Sequence, residues 1–154
     1  MISLNPRVKE ALKKIDFIQR YQNLSNIYND VKTPTNERLR YIDGEIIMDS
    51  IKELGYNVEF EPKEKFFKIH EINHGNYVFG CHIILYNGMV DLVWIVREQE
   101  SILLGLPLSE YSRLIINPQY RIKKPIFGTY EDLDEILRVN FDMFEDFKKI
   151  FSEL

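Results

Sequence analysis

Cysteine is all but missing. Cys81 stands alone among 154 residues, which excludes an intrachain disulfide and any zinc site built from a cysteine cluster. Its neighbours are apolar, so it reads as a buried structural thiol. The start, Met1-Ile2-Ser3-Leu4-Asn5-Pro6, lacks the basic patch and apolar run of a secretory leader. No apolar stretch reaches the ~18 residues a membrane span needs before a charge or turn interrupts it. Glycine and proline are scarce, at 7 and 6, so the chain is neither collagen-like nor a flexible linker. An excess of positive charge is lacking too. The formal net charge of −4 disfavours a nucleic-acid binder, which concentrates a basic footprint. Arg113, Arg121, Lys123 and Lys124 come nearest to one, and they read as a solvated strand edge kept from aggregating by its lysines. The expected compartment is the cytosol, with no membrane partner.

What is present suits one folded domain over residues 1–154. Hydrophobic residues make up 45% and charged ones 29%, and a chain this long buries enough surface to be stable without staples. Asn5-Pro6 supplies an N-cap and a first-turn proline. Val8, Ala11, Leu12, Ile15 and Ile18 then follow at helical spacing. Leu24, Ile27, Tyr28 and Val31 predict a further short helical piece, interrupted by Thr33-Pro34-Thr35. Leu39, Ile42, Ile46, Ile47, Ile51 and Leu54 predict a third helix, closed by Gly55. Val58 and Phe60 begin a short strand that Pro62 ends.

Asn87-Gly88, set between two β-rich runs, supplies the two positive φ values of a type I′ hairpin turn. It pairs Tyr86 with Met89, Ile84 with Asp91 and His82 with Val93. That register gives the 77–97 hairpin two unlike faces. Tyr77, Phe79, Cys81, Ile83, Leu85, Val90, Leu92, Trp94 and Val96 form an apolar face for the core. Val78, Gly80, His82, Ile84, Tyr86, Met89, Asp91, Val93, Ile95 and Arg97 form a mixed one, either partly covered or turned toward a partner. Residues 98–119 read as a loop with a short helix near Ser109–Ile115, and Tyr120–Ile126 as an edge strand. Thr129 caps a last helix with Asp132 three residues on. Its apolar stripe runs through Leu133, Ile136, Leu137, Phe141, Phe144, Phe147 and Phe151. The expected fold is α+β, with N-terminal helices and a C-terminal helix packed on an antiparallel sheet centred on the 77–97 hairpin.

Three patterns bear on function. His70-Glu71-Ile72-Asn73-His74 matches the zincin motif H-E-x-x-H, in which a helix sets two imidazoles on one zinc and the glutamate activates the bound water. Glu98 or Glu100 would complete the ligand set. Gly75 and the β-favouring Phe67, Ile69 and Ile72 argue instead for extended backbone. There His70 and His74 share a face about 13 Å apart, too far for one ion. Pro62 keeps a helical 62–74 open. The second pattern is His82 diagonal to Asp91, with Tyr86 on the same face: a structural or partner-facing group, or an acid/base couple without a nucleophile. The third is the acidic side of the last helix, Glu135, Asp142, Glu145 and Asp146, which suits solubility or a basic partner.

The stretch from Tyr77-Val78-Phe79 through Asn87-Gly88 to Leu92-Val93-Trp94, with Lys124-Pro125-Ile126-Phe127 and Thr129-Tyr130-Glu131-Asp132-Leu133, resembles small immunity proteins of bacterial polymorphic-toxin and contact-dependent inhibition systems. The resemblance spans about half the chain. It implies a cytosolic protein that binds one cognate toxin tightly and blocks its active site or substrate surface; no cofactor is expected on this reading. The alternatives are a small zinc-dependent peptidase using His70, Glu71, His74 and Glu98, and a non-catalytic adaptor, homodimeric through the mixed hairpin face.

Overall fold

A computed structural model of the chain describes residues 3–154, and Met1 and Ile2 lie outside the described residues. The fold is α+β, and the described residues form five α-helices and a six-stranded antiparallel sheet. Helix α1, Pro6–Lys14, opens as its sequence predicts, with the Asn5 side chain accepting from the backbone N–H groups of Arg7 and Val8. It does not run on to Ile18. Asp16 adopts a left-handed conformation, φ 57°, and a second helix, α2 (Phe17–Ile27), begins there. Aspartate tolerates that region better than most residues. Val31, expected on a helix face, is 85% exposed. Helix α3 is Gly44–Glu53, so Leu39 and Ile42 precede it. Gly55 follows it with φ 98°, as the helix-closing position requires.

The strands are β1 (Val58–Glu61), β2 (Phe66–Ile69), β3 (Ile72–His74), β4 (Tyr77–Tyr86), β5 (Met89–Glu98) and β6 (Ser101–Leu104). The central hairpin has the predicted register, with Asn87 and Gly88 both at positive φ. Strands β2 and β3 lie end to end along the same side of β4, and β1 and β6 form the outer edges. Strand β6 falls where the sequence predicts loop. The expected strand at Tyr120–Ile126 is irregular chain, tied to the sheet by a single Met89–Ile126 bridge. Pro125 lacks the N–H that a ladder would need, and its ring restricts the backbone of Lys124 before it. The short helix is α4, Tyr111–Ile115.

The last helix, α5, runs Tyr130–Glu153 with Thr129 Oγ1 accepting from the Asp132 N–H. Every residue of its expected apolar stripe is buried. That stripe lies on the apolar face of the hairpin, where Trp94 meets Phe144, Phe147, Phe17 and Tyr111 with ring centroids 5.3–6.3 Å apart. The helices therefore cover one face of the sheet. Emptying a site such as Trp94 to alanine would cost about 3–5 kcal/mol. Arg7 ties the two chain ends together: its Nε and Nη2 donate to the Phe151 carbonyl at 3.0 and 2.7 Å, and Nη1 donates to the Tyr77 hydroxyl. A guanidinium at the last turn of α5 also complements the helix dipole.

Candidate functional site

Among the described residues no α-helix covers the mixed face of β4 and β5. A concavity of about 440 Å³ opens on it, floored by Gly80 and Ile95. Lys68, His70, Glu71, His82 and Arg97 stand around it. Gly80 is not demanded by crowding, since a Cβ there would meet Ile95 at an ordinary 3.7 Å. Its missing side chain deepens the floor. The His82 ring packs on Phe66, centroids 4.5 Å apart. Burial, and then the nearby Lys68 ammonium, hold its pKa below the ordinary value, with Glu71 pulling the other way. Glu71 itself is engaged by Arg97 across the rim.

The zincin motif is not helical: His70 and Glu71 link β2 to β3, and Ile72, Asn73 and His74 form β3. The two histidines do not share a face, contrary to the simple extended reading. Phe67 and Lys68 pair with Ile83 and His82, whereas Ile72 pairs with Phe79. Ile69, His70 and Glu71 thus span the length that Gly80 and Cys81 cover on β4. The extra residue is a bulge, and it reverses the alternation. His70 lines the outer concavity, while His74 lines a separate one against Glu145, Lys148 and Ser152 of α5. Glu71 goes with the first. Glu98 lies across Tyr77 from His74 in the same row of the sheet, and Glu100 sits exposed in the following turn. Among the described residues no three of His, Cys, Asp and Glu gather as a metal-holding group.

His82 and Asp91 are diagonal in the ladder, as expected, but they form no couple. His82 answers to Phe66 and Lys68. Asp91 lies 3.9 Å from Lys124 and keeps a buried Oδ1 without a hydrogen-bond partner. Burial raises its pKa, Lys124 opposes that, and Glu110 adds to it. Tyr86 stands at the hairpin end, 39% exposed.

Glu135, Asp142, Glu145 and Asp146 are all exposed on α5, yet they are not a free ridge. Arg20 reaches Asp146 at 2.8 Å and Lys148 reaches Glu145 at 2.7 Å, with the Tyr56 hydroxyl also donating to Glu145. Arg138, paired with Asp134, also feels Glu135 and Asp142. Glu135 and Asp142 are the two without an ion pair among the described residues.

One surface escaped the sequence reading. Arg113, Arg121, Lys123 and Lys124 are joined by Arg38 around a concavity of about 420 Å³. The sequence places the four on a strand edge, but among the described residues no strand carries them. Arg38, far away in sequence, gave no signal that it would meet them.

No family model, curated protein or solved structure matches the chain.

Proposed function

We propose that this chain is an immunity-type binding protein, acting in the bacterial cytosol to neutralise a cognate protein toxin by tight association. One observation carries the reading: the helices pack on one side of the sheet and leave the mixed β4–β5 face open. That face offers Phe66, His82, Ile95 and Arg97 in and around one shallow concavity. Aromatic and arginine side chains are the residues that dominate protein–protein recognition. The charged groups there pair with one another, Glu71 with Arg97 and Glu59 with Lys68 at 3.4 Å, an arrangement suited to a rim.

The resemblance of residues 77–94, 124–127 and 129–133 to immunity proteins supports the same reading. The peptidase alternative requires both imidazoles on one ion, and the bulge between β2 and β3 turns them to opposite faces. The open face would also serve a second copy of the chain, which a mass measurement in solution tests.

The deciding experiment is co-expression with the toxin encoded beside the gene. Restored growth and a stoichiometric complex on purification are expected. Growth arrest despite soluble expression of both proteins would overturn the proposal.

A further inference from the structure

The positive charge of this acidic chain is concentrated. Around the 420 Å³ concavity stand Arg38, Arg113, Arg121, Lys123 and Lys124, against the carboxylates of Asp30 and Glu110. Five cations face two anions on a chain whose formal net charge is −4.

Three segments build this place, and they are knitted by backbone. Ile126 N–H donates to the Tyr28 carbonyl, Phe127 N–H to Gly88, and Val90 N–H to Pro125, at 2.9–3.0 Å. Arg38 is fixed across the junction, Nε to the Thr33 carbonyl at 3.2 Å and Nη1 to the Asn87 carbonyl at 2.9 Å. Arg113 is fixed likewise, Nε to the Pro118 carbonyl at 2.9 Å and Nη1 to Glu110 at 3.1 Å. Each guanidinium is held by only part of its donor set, which leaves N–H groups to offer. Lys123 and Lys124 have carboxylates no nearer than 3.9 Å, from Asp30 and Asp91. Arg121 has no ion-pair partner among the described residues. Met89, Ile122 and Ile126 supply apolar lining beneath them.

We infer that this concavity receives an acidic segment of the protein partner, a carboxylate flanked by an aliphatic side chain. The inference deepens the binding reading above, on which it rests, and it reverses the charge expected of the partner. The acidic side of α5 invites a basic partner, but Arg20, Arg138 and Lys148 already answer much of it. Prefixed arginines recognise carboxylates at low ordering cost. A nucleic acid would need a continuous cationic track for its backbone, and Asp30 and Glu110 interrupt this one.

The test titrates isotope-labelled protein with a short glutamate-rich peptide containing one leucine, following backbone amide shifts. Shifts are expected at Arg38, Arg113 and residues 121–124, weakening with salt. The Arg121→Glu/Lys123→Glu double variant should bind about tenfold more weakly or worse. Both of its positions are exposed, so an unchanged spectrum elsewhere will show that it folds. Absent shifts would overturn the inference. So would equal or larger shifts from inorganic phosphate or an oligonucleotide at the same concentration, which would mark a free-anion or nucleic-acid site. Peptide binding without growth rescue would sink the toxin reading alone; rescue without these shifts would sink this inference alone.

Discussion

Trp94 Nε1 donates a hydrogen bond of 2.9 Å to Asn140 Oδ1, and neither residue has any exposed surface. The Asn140 amide also donates to Cys81 Sγ at 3.7 Å. One polar side chain on α5 thereby fixes its seat on both central strands. Replacing Asn140 with leucine strands a buried indole N–H, a cost of roughly 1–3 kcal/mol. Urea unfolding followed by Trp94 fluorescence will check it. Unchanged stability would mean that the indole finds another acceptor.

Gly88 has φ 76°, and a Cβ there would fall 2.4 Å from Arg38 Cδ. Alanine at this position meets both a left-handed backbone penalty and a displaced arginine. The backbone alone costs about 1–2 kcal/mol. Gly88→Ala in an Arg38→Ala background should lose less than in the wild-type chain, and a double-mutant cycle measures the difference. Strict additivity would refute the coupling.

Burial pushes the Cys81 thiol up to about 12, the Asn140 hydrogen bond notwithstanding. The folded protein should resist iodoacetamide at neutral pH and react only through unfolding. Mass spectrometry of alkylated samples along a urea series will show whether labelling tracks the unfolded fraction. Rapid labelling in buffer would contradict the buried assignment.

Two groups give the stability opposite pH slopes. The His82 pKa is lowered below 6.5 on folding, so its contribution is complete above 6.5 and is lost as pH falls through the folded value. The Asp91 pKa is raised above 3.8. The charged carboxylate is disfavoured in the fold at neutral pH, and stability returns as pH falls through the raised value toward 3.8. His82→Gln should flatten the loss below pH 6.5. Asp91→Asn should be more stable than wild type at neutral pH, with the gain fading in acid. Urea midpoints across that range decide both.

Much of the fold was legible because its strongest signals are local. Asn87-Gly88 and the alternation around it set ten residue pairs of β4 and β5. The phenylalanine stripe of α5 was equally plain. The break at Asp16 was not, because Ile15 and Ile18 keep the helical rhythm across it. Gly75-Asn76 went unread as a second hairpin turn, although Gly75 takes φ 59° between β3 and β4. Asn140 is polar in an apolar stripe and left a gap whose meaning depended on Trp94, 46 residues away. The candidate surfaces were harder still. Which side of the sheet His74 would take depended on strand pairing, and the meeting of Arg38 with Arg113 depended on how loops are tied.

The bulge at Ile69–Glu71 also says where this chain tolerates a change of length. Removing Glu71 would let β2 and β3 join as one uninterrupted ladder beside β4, at the loss of its exposed contact with Arg97. Shortening β4 by one residue would instead throw half of its core side chains into solvent. Natural relatives should therefore differ by single insertions or deletions here and at Leu103 of β6, the residue left over between the Val96–Leu104 and Arg97–Ile102 pairs, while the central hairpin keeps a constant length.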